Sequence, residues 1–294
     1  MNIVKFVTFR EGENWRTGIE QGGSVLDIRE LGFEGTLKEL LSSGQKRAKA
    51  LLAASEMQFS INPGSFLNLS NLHLGPPIRD PDKILCIGLN YRDHAIEVGV
   101  PIPKFPVVFA KFRNCLIGAY DKIELPETTQ EADYEGELAV IIGQRCSKVV
   151  ETEALSYVAG YSVFNDVSAR DLQFQASQWT MGKAIDTFGP IGPGLVPASS
   201  IPDPQAIEIV TRLNGETVQQ GSTRDMIFGV AYLIAFFSQI MTLEPGDIIA
   251  TGTPAGVGFT RKPQIFLKPG DIVEVEILQI GKLRNEVIRR EFNR

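Results

Sequence analysis

The chain has 294 residues, of which 43% are hydrophobic and 22% charged, the proportions of an ordinary soluble globular protein long enough to bury a substantial core. A net charge of -6 and a pI near 5.2 argue against nonspecific nucleic-acid binding and leave room for a local basic site that takes an anionic substrate. The three cysteines, Cys86, Cys115 and Cys146, are widely spaced and lack a C-x-x-C pattern, so neither a zinc module nor a disulfide framework is indicated and a reducing compartment fits.

In chain order, Ile3 to Phe9, Trp15 to Glu20 and Ser24 to Asp27 read as short strands joined by Gly-containing turns. Thr36 to Ala54 reads as one helix, with Leu37, Leu40, Leu41, Ala48, Leu51 and Leu52 at its apolar positions. Pro76-Pro77-Ile78-Arg79-Asp80-Pro81-Asp82 is a stiff polar connector, because proline restricts its own backbone and that of the residue before it. The expected division is a small N-terminal α+β domain over 1–78, including this Pro-rich connector, and a larger unit over 79–294.

Beyond the connector, many short strands alternate with few helices. Leu243-Glu244-Pro245-Gly246-Asp247-Ile248 and Leu267-Lys268-Pro269-Gly270-Asp271-Ile272 echo each other, each Pro-Gly being a type II turn signal that feeds a strand. Two copies are too few for a solenoid. Arg224 to Met241 reads as a helix with Met226, Ile227, Val230, Leu233, Ile234 and Phe237 turned to the core. The longest apolar stretch, near Val230 to Phe237, falls far short of the roughly twenty residues that span a bilayer. The first residues alternate like a strand and lack the basic patch and long apolar core of a leader. A soluble, cytoplasmic protein with no membrane or nucleic-acid partner is expected.

The chemistry concentrates in a few places. Gly88 to Glu97 follows a short apolar strand, Lys83 to Ile87, and sets Glu97 three residues beyond His94, one of only two histidines. On a helical turn the two side chains meet, and a carboxylate beside an imidazole orients it as a general base; a surface pair would have the same spacing. Glu135 and Glu137 flank Gly136 at the head of the apolar run Leu138 to Ile142. Strand side chains have a period of two, so both carboxylates point to one side. On a partly buried surface they repel each other and lose hydration unless a cation lies between them or one is protonated, whereas an exposed edge strand would hold the same pair in water.

About thirty residues on, Val158 to Phe164 reads as a strand that ends at Asn165-Asp166, and Val167 to Phe174 reads as the start of a helix. Asp166, Arg170 and Gln173 then fall at i, i+4 and i+7, on one face. Glu135, Glu137 and Asp166 form an all-oxygen donor set, which suits a hard cation such as Mg²⁺, Mn²⁺ or Ca²⁺ and leaves about three of six octahedral positions for water and substrate. A structural salt bridge from Arg170 to Asp166 or Glu137 is the competing reading. Lys183 lies in a loop-like stretch, where a solvated lysine is the simpler account. Thr251 to Gly258 is a Gly-rich loop without the Lys-Ser/Thr ending of a P-loop, yet its amides and hydroxyls can bind a carboxylate.

Taken together, Gly88-x-Asn90-Tyr91-x-x-His94-x-x-Glu97, Glu135-x-Glu137, Asn165-Asp166-x-Ser168-Ala169-Arg170-Asp171-x-Gln173, Gly182-Lys183, Asp186-Thr187-Phe188-Gly189-Pro190 and Thr251-Gly252-Thr253-Pro254-x-Gly256-Val257-Gly258 resemble the fumarylacetoacetate hydrolase family over about residues 83 to 290. The stretch Arg261 to Asp271 is similar to the fumarylacetoacetase-domain branch that includes oxaloacetate tautomerases. The resemblance implies an α+β fold with a mainly β, roll-like catalytic domain behind a smaller N-terminal one, and a homodimer. It implies that Glu135, Glu137 and Asp166 hold Mg²⁺ or Mn²⁺ with Lys183 beside the bound substrate, that Arg170, Gln173 and Thr253 contact substrate oxygens, and that His94 and Glu97 form an acid-base pair on a lid-like segment. Because the family's reactions diverge, the fold does not fix the activity. Hydrolysis of a carbon-carbon bond in a small 2-oxo or 1,3-diketo acid is the leading expectation. Oxaloacetate tautomerisation or decarboxylation is the alternative, and a metal-binding protein without turnover is a third reading.

Overall fold

The computed structural model describes residues 3–61 and 66–291. Its central strand is Gly136–Ile142, buried at every position. Because strand side chains alternate, Leu138, Val140 and Ile142 enter one core while Ala139 and Ile141 enter the opposite one. Burial on both faces is why this run is apolar throughout.

The central strand pairs antiparallel with Val158–Asn165 and with Ile248–Ala250. Ile248–Ala250 pairs in parallel with Ile84–Gly88, and Val107–Lys111 forms that edge. In the other direction Val158–Asn165 pairs with Gly189–Pro197. That strand takes up Lys5–Glu11 through Phe6 opposite Leu195, and Asn14–Gln21 and Ser24–Asp27 extend the order outward. The N-terminal strands thereby continue one twelve-stranded mixed sheet.

Helices cover both faces. Val230–Ile240 sets Leu233, Ile234 and Phe237 into the first core. Leu37–Ser42 and Gln45–Ile61 set Leu37, Leu40, Leu41, Ala48 and Leu51 into the second, against Phe164, Ile191 and Leu195. A five-stranded sheet, ordered Glu216–Ser222, Glu208–Leu213, Ile272–Ile277, Gly281–Arg289 and Ile123–Leu125, lies beside them. The class is α+β, as the resemblance implies. Among the described residues no helix is long and apolar enough to cross a membrane.

Three elements depart from the sequence expectation. The helix expected over 36–54 is two helices, because Gly44 turns the chain left-handed at φ 105° and the second runs on to Ile61. The helix expected from Arg224 begins only at Val230. Asn90 takes the preceding amides, its carbonyl accepting from Ile227 at 2.7 Å and its Oδ1 accepting from Phe228 at 2.9 Å, so they are lost to a helical ladder. Third, only Arg170–Gln173 is helical after Asp166, because Ser168 and Ala169 pair with Asp133 and Ala132. Gly246 and Gly270, at φ 90° and 95°, have the left-handed backbone that the Pro-Gly pairs signal.

Candidate active site

The ends of two neighbouring strands bring the carboxylates together. Glu135 and Glu137 bracket the start of Gly136–Ile142, and Asp166 follows the end of its partner Val158–Asn165. The Asn165 side chain accepts from the Glu135 amide at 3.0 Å, and the Asp166 amide donates to the Glu135 carbonyl at 2.9 Å, which fixes the two turns against each other. One oxygen from each of Glu135, Glu137 and Asp166 lies within 4.8 Å of the others, and all three residues are buried. Asp166 reaches this cluster from an extended segment, not from the helical face that i, i+4, i+7 spacing suggests.

Buried cations knit the carboxylates together. Lys183 sits at the end of a four-residue helix, Thr180–Lys183, rather than in a loop, and its Nζ lies 2.7 Å from Glu135 and 2.8 Å from Asp166. Lys111, which carries no sequence signal beyond being a lone charge in an apolar strand, donates to the other Asp166 oxygen at 2.6 Å. Arg170 pairs with Glu135 at 2.7 Å and with Asp133 at 2.8 Å, while its Nη1 donates to Gln173 Oε1 at 2.9 Å. The Arg170 salt bridge is therefore made to Asp133 and Glu135, and neither Asp166 nor Glu137 is its partner.

Asp133 is the second residue that motif reading misses. Its carboxylate also accepts from the amides of Tyr134, Gly258 and Phe259, so it ties Arg170 to the Gly-rich loop. The clue was the period itself, since Asp133, Glu135 and Glu137 stand at i, i+2 and i+4.

The electrostatics leave one carboxylate without a cation. Burial alone would raise the Glu135 carboxyl, but Lys183 and Arg170 outweigh it and hold it down at about 2. Lys183 is itself pulled down by burial and carried above its ordinary range by Asp166 and Glu135. Among the described residues Glu137 has no such partner: its Oε2 accepts from the Gly252 amide at 2.8 Å. Burial, then Asp166 and Glu135, push its carboxyl well above the ordinary range. Four buried carboxylates, Asp133, Glu135, Glu137 and Asp166, thus face the three buried cations Lys111, Arg170 and Lys183. A hard cation on the oxygen-only triad would supply the missing charge, so the residues fit a divalent metal.

Glu137→Gln is expected to raise the melting temperature of the metal-free protein by a few degrees near neutral pH, at roughly 2–3 °C per kcal/mol for a chain of this size. The sign follows from linkage. A carboxyl raised in the fold costs stability as pH climbs from the unfolded carboxylate range, about 4, toward the folded value, so the gain should shrink again on acidification. Added Mn²⁺ is expected to raise the melting temperature of the parent and not that of this variant. Scanning fluorimetry with and without Mn²⁺ measures both, and a lower melting temperature in the metal-free variant would refute the account.

His94 and Glu97 lie on the helix Arg92–Val98, which ends at Gly99 in the left-handed region, φ 76°. His94 Nδ1 is 3.1 Å from Glu97 Oε2, and Glu97 Oε1 accepts from the Gly256 amide at 2.9 Å, so the helix is latched onto the Gly-rich loop. Burial alone would raise Glu97, but hydrogen bonds from His94, Thr260 and Gly256 bring it below its ordinary range. A carboxylate at Nδ1 favours the ring proton there and leaves Nε2 unprotonated in the neutral ring.

His94, Glu135, Arg170, Gln173, Lys183 and Thr253 all line one cavity of about 170 Å³. Thr253 directs its hydroxyl to the Gly136 carbonyl at 3.0 Å and accepts from Gln219 at 2.8 Å. Gln219 also takes the Gly136 amide, so the five-stranded sheet braces the site. A larger open cleft of about 880 Å³, near Trp15, Arg79 and Arg113, contains none of these residues.

Residues 83–288 match the family described as Fumarylacetoacetate (FAA) hydrolase C-terminal. Oxaloacetate tautomerase FAHD2A, mitochondrial, of Bos taurus is 44% identical over 279 residues, covering 92% of this chain and 87% of that protein. Among solved structures, the fumarylacetoacetate hydrolase of psychrophilic Exiguobacterium antarcticum superposes with a TM-score of 0.84 at 36% identity, covering 98% of this chain and 100% of that one. The maleylpyruvate hydrolase of Sphingobium sp. SYK-6 gives 0.80 at 29% identity, covering 97% and 100%. With 206 consecutive residues matched to the family and the fold shared across nearly the whole length, this chain belongs to the fumarylacetoacetate hydrolase family.

Proposed function

We propose that the chain is a divalent-metal-dependent oxaloacetate tautomerase. The observation that carries this reading is that, among the titratable groups lining the cavity, His94 alone keeps a proton-transfer atom free, while Glu135, Arg170 and Lys183 are paired with one another or with Asp133 and Asp166. Keto-enol exchange needs only one such group, because the proton leaving the carbon beside the 2-oxo group is returned to oxygen. The 44% identity to a protein named oxaloacetate tautomerase supports it.

In this reading Glu135, Glu137 and Asp166 hold Mg²⁺ or Mn²⁺, with Ca²⁺ the third oxygen-seeking candidate. The bound cation supplies positive charge that stabilises negative charge on the 2-oxo oxygen. Lys183 adds a fixed positive charge beside it. Arg170 holds Gln173 through the side-chain carbonyl, which leaves the Gln173 amide nitrogen as a donor to a substrate carboxylate. Thr253 stands on the same cavity wall and would contact a substrate carboxylate only by turning its hydroxyl from the Gly136 carbonyl. Glu97 keeps the His94 proton on Nδ1, and His94 Nε2 takes the carbon-bound proton.

Carbon-carbon hydrolysis of an acylpyruvate is the second reading, favoured by the likeness to a solved maleylpyruvate hydrolase. The test presents purified chain with Mg²⁺ or Mn²⁺ to enol and keto oxaloacetate and to acetylpyruvate, against the metal alone. The expected result is a chelator-sensitive acceleration of enol loss and recovery well beyond the metal's own. Cleavage of acetylpyruvate with no such acceleration would replace tautomerase by hydrolase. A homodimer and a cytoplasmic location complete the proposal, to be checked by light scattering and cell fractionation. Enrichment with mitochondria would instead follow the relatives' names.

A further inference from the structure

The cavity of about 170 Å³ is well below the roughly 300–1,000 Å³ of sites for drug-sized ligands. Something besides the polar groups must set its extent. Trp179 is the largest side chain on its wall, and it stands between the short helices Arg170–Gln173 and Thr180–Lys183, after a run of exposed residues, 175–178.

Two contacts hold the indole in place. Gly88 ends the strand Ile84–Gly88 and gives the ring bare backbone to lie on, since a Cβ there would fall 2.3 Å from Trp179 Cζ3. Phe109, on the neighbouring strand, meets the ring edge-on with centroids 5.5 Å apart, and Phe109 itself lies under the Lys183 ammonium at 4.9 Å. Trp179 is only half-buried and lines the cavity.

We propose that Trp179, seated on Gly88, is a specificity-determining residue that limits the length of the 2-oxo acid, admitting a four-carbon acid and excluding one with an extended acyl tail. This rests on the reading of the site as a metal-dependent 2-oxo acid site. Removing the indole would open the cavity outward while leaving the carboxylates, His94 and Lys183 in place.

The test is calorimetric binding to the Mn²⁺-loaded protein of three unreactive probes: oxalate, oxamate and N-butyloxamate. The parent should bind N-butyloxamate about tenfold or more weaker than oxamate, a step on the scale by which an apolar pocket discriminates size. Trp179→Ala should recover about tenfold for N-butyloxamate while oxalate and oxamate stay within about threefold, and Trp179→Phe should fall between, giving a folded variant if the alanine form does not survive. Equal binding of both oxamates by the parent overturns the proposal. So does a parallel loss of all three probes in both variants, which would make Trp179 a structural support. Failure of oxalate and oxamate alike to bind the Mn²⁺-loaded parent would instead sink the underlying 2-oxo acid reading, and the size limit with it.

Discussion

His94→Ala should lower turnover by about 10²- to 10⁴-fold, the usual worth of a general base, while leaving metal-dependent oxalate affinity nearly unchanged. The asymmetry comes from the layout of the site. The carboxylates and Lys183 bind one another without help from His94, which arrives from the separate helix Arg92–Val98. Under the proposed function, affinity and proton transfer therefore fall to different elements. Glu97→Gln should give a milder loss, since the amide can still accept from the Gly256 amide but no longer carries the charge that orients the imidazole. Titration with oxalate beside steady-state kinetics separates the effects. Matching losses of affinity and turnover in His94→Ala would mean that the histidine shapes the pocket, and full activity would remove it from the mechanism.

Asp133→Ala is expected to cost about 3–5 kcal/mol of folding stability, the range for breaking a buried ion pair from one side. The carboxylate is fully buried and accepts from Arg170 Nε at 2.9 Å as well as from three backbone amides. Its loss strands a guanidinium that, among the described residues, has only Glu135 left as an ionic partner. It also releases the Gly258 and Phe259 amides, so the loop that latches Glu97 loosens. Asp133→Asn, which keeps an acceptor, should cost less. Denaturant unfolding at pH 7 reads the difference as a fall in midpoint, and a cost below about 1 kcal/mol would show that Asp133 is dispensable.

How far the site is legible in the sequence depends on the range of the interactions that make it. Glu135 and Glu137 announce themselves because a strand's period of two is a local property. Asp166 is legible as the polar end of an apolar strand, yet its surroundings mislead, since the helical spacing to Arg170 and Gln173 ignores the pairing of Ser168 with Asp133. Lys111 could not be found locally, because its meaning comes from Asp166, 55 residues away. The same holds for the helices. Leucine spacing persists across Ser43 and Gly44, so the break at φ 105° is invisible to periodicity, and the late start at Val230 is imposed by Asn90, which is remote in sequence.

The pairing of Phe6 with Leu195 carries a consequence for how the chain tolerates cutting. The family match begins at residue 83, which invites a shortened chain of 83–288. Such a fragment would bare the edge of Gly189–Pro197 and strip Phe6, Leu37, Leu40 and Leu41 from the face formed by Phe164, Ile191 and Leu195. An unprotected strand edge beside exposed apolar surface is a template for self-association. The first 82 residues are thus expected to guard against aggregation, and the fragment should accumulate in inclusion bodies to a greater extent than the full chain.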